Sequence, residues 1–307
     1  MGNGSAGSPR RLLMIQNPAA GRRGARRLRA VLEVLEQRFG VETAIQTTTG
    51  RGDAEAMART VAPDAFDAVV AVGGDGTVNE VVNGLGASGV SPAPLGIVPL
   101  GTANVLAHEL GLPSDPEGVA AVLAVGQAQP VHLGVANGRC FAMMAGVGFD
   151  ACVVERVAPR LKRLIGKGAY AVETLAQIVD YRGTRYRVTV DGVTEEVASV
   201  IVAKGRFYAG RFVCAPEARL ADPRLHVCLF PETGRWNAIR YICGVVADRL
   251  PRLPDYRVVP ARRIVIEAPV GAAVQGDGDI IARLPVEITA APWVLPVLAG
   301  PVSGKAV

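Results

Sequence analysis

The run from Asp67 to Leu85, DAVVAVGGDGTVNEVVNGL, sets the tightest limit on the fold. Ala68 to Val72 are apolar without alternation, so both faces of any strand they form must be covered. Two glycines interrupt the strand, and a segment of helical character follows directly. A strand buried on both faces that turns straight into a helix belongs to a parallel sheet clad with helices.

The neighbouring sequence repeats this rhythm. RLLMIQNP reads as a short apolar strand ending in a turn, and VETAIQTTT as another strand. Between them, Leu28, Val31, Leu32, Leu35 and Phe39 recur at helical spacing. GDAEAMARTVA reads as a helix with Asp53 near its start, APLGIVPLG as a strand and TANVLAHELGL as a helix. After about residue 131 the pattern changes to short segments with period-two alternation and frequent Gly/Pro punctuation, the signature of an antiparallel sandwich. One helical region, about 151–181, interrupts it.

The expected fold is therefore α/β plus all-β. A leader, 1–10, expected to be disordered, precedes a parallel-sheet domain at 11–130 and a β-sandwich at 131–290. Segment 291–307, containing WVLPVLAG, is expected to return to the first domain.

Composition narrows the chemistry. The chain has 307 residues, and its five cysteines include no CxxC pair, which argues against a thiolate metal site or a disulfide framework. No run of about 18 uninterrupted apolar residues marks a transmembrane helix, and MGNGSAGSPRRLLMIQNP holds no signal-type apolar stretch. The net charge of +5 suits phosphates or anionic lipid surfaces, while the aromatic content of 5% leaves too few stacking platforms for single-stranded nucleic acid. A cytoplasmic protein is expected. The stretch ERVAPRLKRLIGKGAY mixes Arg156, Arg160, Lys162, Arg163 and Lys167 with Leu161, Leu164 and Ile165, a pattern that fits a helix resting on an anionic bilayer or a plain surface helix equally.

The turn VGGDGT is where chemistry is expected. A glycine-rich strand-to-helix turn lets backbone amides approach phosphate oxygens, and the helix N-terminus adds partial positive charge. Asp75 would repel phosphates unless a cation or a substrate hydroxyl stands between. It is a candidate organiser of Mg²⁺ or a base for a phosphoryl acceptor. No Walker A pattern occurs. Three further strand–helix junctions carry polar or glycine residues: Asn17 and Gly21 in NPAAG, Thr48 in TTTGRGDA, and Gly101, Thr102 and Asn104 in PLGTAN. In a parallel sheet such loops emerge at one rim, where ligands bind.

NPAAG, VGGDGTVNEVVNGL, PLGTANVLAHELGLP, AGVGFDA and APEARLADPRLHV occur in this order. Together they resemble the diacylglycerol kinase catalytic-domain family, which includes bacterial lipid kinases and sphingosine kinases. The resemblance implies a nucleotide-binding α/β domain and a β-sandwich with the active site in the cleft between them. It implies transfer of phosphate from ATP, with Mg²⁺, to the hydroxyl of a lipid substrate; peripheral membrane contact is expected from the basic stretch, and no nucleic-acid partner from the scant aromatics. It assigns nucleotide contacts to Asn17, Pro18, Ala19, Ala20 and Gly21, to Thr48, to Gly74, Asp75, Gly76, Thr77, Val78, Asn79 and Glu80, and to Thr102.

The family carries a C-terminal Asp-Gly-Glu whose glutamate is the catalytic base. This chain reads QGDGDII, which makes Asp279 the match and leaves Asp75 as the other candidate for the proton. The two glycines flanking Asp277 suggest a flexible turn. Many bacterial members also bind a structural Mg²⁺ through an Asp-Asp-Gly stretch. Here Asp222 matches the later aspartate, with Ala221 and Pro223 in place of its neighbours. Two alternatives remain beside a lipid kinase: an NAD kinase, which also uses a GGDGT loop, and a catalytically weak lipid-binding protein of the same fold.

Overall fold

The computed structural model describes residues 10–156 and 183–300. Most of the leader, the basic stretch beyond Arg156 and the last seven residues lie outside the described residues. The chain divides into two units. One is Met1–Gly101 with Leu110–Gln129 and Leu295–Val307, and the other is Thr102–Glu109 with Pro130–Val294.

In the first unit, strands β1 (Arg11–Gln16), β2 (Glu42–Thr47), β3 (Ala68–Gly73) and β4 (Leu95–Pro99) form a parallel sheet in the order β2-β1-β3-β4. All six residues of β3 are buried, as its unbroken apolar run requires. The last strand, β18 (Val286–Ala299), reaches this sheet with Val297 in parallel register beside Leu95. Helices α1 (Gly21–Phe39), α2 (Asp53–Arg59), α3 (Asp75–Leu85) and α5 (Pro116–Val125) belong to the same unit. Leu28, Val31 and Leu35 of α1 and Val119 and Leu123 of α5 pack on Leu12, Met14, Val70 and Val72. Burying each such large side chain stabilises the unit by about 1.5–3 kcal/mol.

The second unit is a β-sandwich. One antiparallel sheet runs β14 (Arg257–Ala261), β13 (Leu225–Phe230), β10 (Ser199–Ala203), β7 (Met144–Val147), β16 (Ala273–Gly276), β17 (Asp279–Arg283). The other pairs β9 (Val193–Val197), β8 (Tyr186–Val190), β15 (Arg263–Ala268) and the start of β18, also antiparallel. Alternate residues point inward from both sheets. Val200, Val202, Leu225, Val227, Leu229 and Val274 meet Val188, Val190, Ile264, Ile266, Val286 and Ile288 in one core.

Two helical expectations are shortened. Only α4 (Val105–Glu109) forms within TANVLAHELGL. Segment 102–109 groups with the sandwich, and Glu109 shows why. Its carboxylate accepts hydrogen bonds from Arg206 N at 2.9 Å, Phe207 N at 3.1 Å and Arg206 Nε at 3.2 Å. The helical region expected at about 151–181 is described as α6 (Phe149–Arg156), and its remainder lies outside the described residues.

Candidate active site

The β3–α3 turn is built for close backbone approach. A Cβ on Gly73 would lie 2.4 Å from Thr77 Oγ1, and one on Gly74 would lie 3.1 Å from the Cα of Gly101. The GGDGT turn and the PLG turn therefore meet backbone to backbone, joined by a hydrogen bond from Leu100 N to Gly73 O of 2.8 Å. Helix α3 makes its first bond from Val78 N to Gly74 O at 3.1 Å, so the amides of Asp75, Gly76 and Thr77 lie ahead of the helical ladder. Gly74, Asp75 and Gly76 are half-buried, and Thr77 is buried.

Asn17 stitches a second loop to this turn. Its Oδ1 accepts from Ala19 N at 3.0 Å, capping the short 3-10 turn Pro18–Ala20, and its Nδ2 donates to Thr77 Oγ1 at 3.1 Å. Pro18, Ala19 and Gly21 are exposed beside it. Thr48 is buried and fixed by its N–H to Gln16 O at 2.9 Å. The loop after Thr48 is folded around Asp53, whose Oδ2 accepts from Thr49 N at 2.7 Å, Thr49 Oγ1 at 2.7 Å and Gly50 N at 2.9 Å. Those bonds, led by the Thr49 hydroxyl, hold Asp53 below the usual carboxylate range.

Glu80 ties the third loop in. Its Oε1 accepts from Gly52 N at 2.9 Å and its Oε2 from Ala54 N at 3.2 Å. A carboxylate here satisfies amides at the start of α2, where the helix leaves its donors open. The residue thus acts as a brace for the Thr48 loop. Val78 and Asn79 are buried within α3, and Asn79 Oδ1 accepts from Asn83 Nδ2 at 3.1 Å. Of the predicted cradle, Asn17 bonds Thr77 directly, and the loop after Thr48 is tied to α3 through Glu80. Thr102 is exposed and belongs to the second unit.

Asp279 opens β17, paired with Gly276 across a two-residue turn. Asp277 and Gly278 both have positive φ, 49° and 88°, as a type I′ hairpin turn requires. This overturns the expectation of a flexible turn. Asp277 Oδ2 accepts from Ala142 N at 2.6 Å, and Oδ1 from Met143 N at 2.9 Å and Met144 N at 3.1 Å. Its own N–H bonds Met144 O at 3.0 Å. The glycine permits the backbone turn, and the carboxylate clamps it.

A buried network supports the same turn, and the sequence reading passed over it. Gln275 Oε1 accepts from Gly278 N at 3.0 Å, while its Nε2 donates to Asp150 Oδ2 at 2.5 Å. Tyr208 donates to Asp150 Oδ1 at 2.5 Å. Burial pushes the Asp150 carboxyl above its ordinary range, against the pull of the Tyr208 and Gln275 bonds. Asp150 lies in AGVGFDA, and a Cβ at Gly146 would sit 2.3 Å from Asp150 Oδ2. The motif was visible, but its link to Gln275, 125 residues away, was not.

Asp222 does not fit a metal site. Its carboxylate accepts from Arg224 N at 2.9 Å, from Nη2 at 2.6 Å and from Nε at 3.0 and 3.1 Å. These bonds hold it far below the usual carboxylate range. Beside it, Lys204 is fully buried, and its Nζ donates to the carbonyls of Arg219 at 3.3 Å, Arg224 at 3.1 Å and Asp222. Burial brings the Lys204 ammonium down to about 8, partly offset by Asp222, so it stays charged at neutral pH. The ammonium occupies the carbonyls and the guanidinium the carboxylate, an arrangement whose charge opposes a divalent ion there. Among the described residues, no group of three or more His, Cys, Asp or Glu side chains is arranged to hold a metal.

Comparison with known proteins agrees with this architecture. Residues 11–136 match the diacylglycerol kinase catalytic domain, and residues 143–299 match the YegS C-terminal NAD kinase beta sandwich-like domain. A diacylglycerol kinase of Bacillus subtilis is 31% identical over 91% of this chain and 92% of its own length. One from Mycobacterium tuberculosis is 32% identical over 76% of each. A solved diacylglycerol kinase structure from Bacillus anthracis superposes with a TM-score of 0.73 at 25% identity, covering 95% of this chain and 98% of the other. Yeast NADH kinase shares the fold more distantly, with a TM-score of 0.54 at 12% identity over 97% and 85%.

Proposed function

Because this chain belongs to the diacylglycerol kinase catalytic-domain family, we propose that it transfers the γ-phosphate of ATP to the hydroxyl of a lipid alcohol. The observation that carries the nucleotide half is the stitched rim. Asn17 bonds Thr77, Glu80 bonds the loop after Thr48, and the glycines permit backbone contact at the start of α3. Such a rim presents amides and a helix N-terminus to phosphate oxygens. In this reading the loops at Asn17–Gly21, Thr48 and Gly74–Thr77 hold the nucleotide, and Thr102 adds a contact. Val78, Asn79 and Glu80 act from behind, by fixing α3 and the Thr48 loop.

Asp75 is half-buried at the phosphate-binding turn, a hard carboxylate oxygen where Mg²⁺ accompanying ATP needs a ligand. Bound there, Mg²⁺ would neutralise charge on the transferring phosphoryl group. Asp279 takes the hydroxyl proton as general base, its backbone fixed by the Asp277 clamp and Gln275. Among the described residues, no helix is long and apolar enough to cross a membrane. The lipid is proposed to be reached from the bilayer surface, with the basic residues 156–167 as the contact. That stretch lies outside the described residues beyond Arg156.

The deciding experiment supplies labelled ATP with Mg²⁺ and offers four acceptors in parallel: diacylglycerol, phosphatidylglycerol and a sphingoid base in mixed micelles, and NAD. Label entering a lipid and lost in Asp75→Asn and Asp279→Asn supports the proposal. Label entering only NAD overturns it in favour of a nucleotide kinase. No transfer to any acceptor by folded protein favours the non-catalytic lipid binder.

A further inference from the structure

We propose that the ammonium of Lys204 is the resident cation of the second unit. It fills from within the chain the place a bound metal ion would take, so that the 219–224 loop folds without a divalent ion.

The argument begins with the loop. The carbonyls of Arg219, Asp222 and Arg224 all turn toward one point, and Lys204 Nζ stands there. Three peptide dipoles aimed at one point by their negative ends repel one another unless a positive charge lies between them. Convergent carbonyls with a carboxylate nearby are the hard oxygen set that Ca²⁺ or Mg²⁺ uses. An ammonium has three donors and no acceptor, so three carbonyls satisfy it completely. The match explains how a fully buried lysine is tolerated, since a buried charge must be paired and hydrogen-bonded.

The backbone holds the ammonium in place. Lys204 directly follows β10, and its N–H bonds Met143 O at 2.8 Å. Its stem therefore starts from the sandwich, and its head reaches the loop that leads into β13. One side chain joins the sheet to the loop. The remaining chemistry agrees: Asp222, the residue that could have completed a metal shell, is instead taken up by Arg224. Arg219 turns its guanidinium away to the carbonyls of Pro216 and Ala218, both at 2.7 Å. Lys204 and the loop's Arg219 and Arg224 thus set three cationic side chains against Asp222 and the neighbouring Glu217, a balance that suits an internal ammonium and opposes an added dication.

The test uses the purified full chain without nucleotide. The unfolding temperature is measured in EDTA, in excess Mg²⁺ and in excess Ca²⁺, for the wild type and for Lys204→Ala and Lys204→Met. The wild type should unfold at the same temperature in all three and carry no stoichiometric metal by elemental analysis. Lys204→Ala should fall by about 5 °C or more, because buried carbonyls lose their donor, and should recover part of the loss in Mg²⁺, Ca²⁺ or ammonium. Lys204→Met refills the channel with an apolar stem and should fall without recovery. A wild-type protein stabilised by Mg²⁺, with the effect abolished by Asp222→Asn, would overturn the proposal. So would wild-type stability in both lysine variants. If neither variant folds, the metal content and EDTA response of the wild type decide the question alone.

Discussion

Asp277→Asn is the substitution whose cost the structure defines most sharply. Both residues tolerate the left-handed conformation at φ 49°, so the backbone of the turn is not at issue. What changes is the clamp. The carboxylate accepts three N–H bonds, two at Oδ1 and one at Oδ2, from Ala142, Met143 and Met144. Asparagine offers one acceptor oxygen. With that oxygen toward Met143 and Met144, its amide faces Ala142 N, donor against donor. Ala142, Met143 and Met144 are all buried, so water does not replace the lost partner. One abandoned backbone donor costs about 1–3 kcal/mol, and the two surviving bonds lose their charge assistance, which brings the total to about 2–4 kcal/mol. For a domain of this size each kcal/mol moves the midpoint by about 2–4 °C, so thermal unfolding should shift by about 4–16 °C. Circular dichroism or calorimetry on the full chain reads this directly. A shift below about 1 °C would show that the three bonds contribute nothing net, and the account of the fixed turn would fail with them.

Four further outcomes follow from the same contacts. Asp75→Asn should stay folded and lose about 10²–10⁴ in turnover; near-normal turnover by the folded variant would remove Asp75 from the mechanism. Asp279→Asn should be nearly inactive and Asp279→Glu impaired, because the rigid turn cannot retreat to make room for an added methylene; a severalfold gain in Asp279→Glu would show that reach limits this chain. Gln275→Met removes the acceptor for Gly278 N and should lower kcat about 10-fold or more with KM for ATP unchanged. It should cost nothing further in an Asp279→Asn background, and an additive loss there would mean that Gln275 does not act through Asp279. Binding to anionic vesicles should weaken with salt, since basic residues at a charged surface contribute about 1 kcal/mol each and are screened; sedimentation indifferent to lipid charge and salt would remove the membrane contact.

The difference between what the sequence disclosed and what it hid follows from the range of each signal. The unbroken apolar runs of β3 and β10 and the alternation of β15 are patterns within one element, and burial alone dictates them. Glycine turns are equally local, because the backbone geometry at GGDGT or at Asp277–Gly278 is a property of adjacent residues. Side-chain partnership is not local. The family resemblance puts Glu80 in the phosphate cradle, yet its carboxylate serves amides 26 and 28 positions earlier. Asp277 looked like a hinge because glycines flank it, yet it clamps a strand more than 130 residues away.

The same reasoning separates the two departures from the family pattern. An aspartate at 279 alters one side chain on a turn that everything around it holds still, so its effect falls on reach. At 222 the departure cannot be judged from the stretch RLADPRLHV, because the deciding group is Lys204, 18 residues upstream. A missing ligand read from a motif suggests a lost site. The ammonium on the Arg219, Asp222 and Arg224 carbonyls supplies positive charge to this loop from within the chain. A gap in a metal motif is therefore informative only together with a search for a buried Lys or Arg donating to the same carbonyls, and that pairing is visible in three dimensions alone.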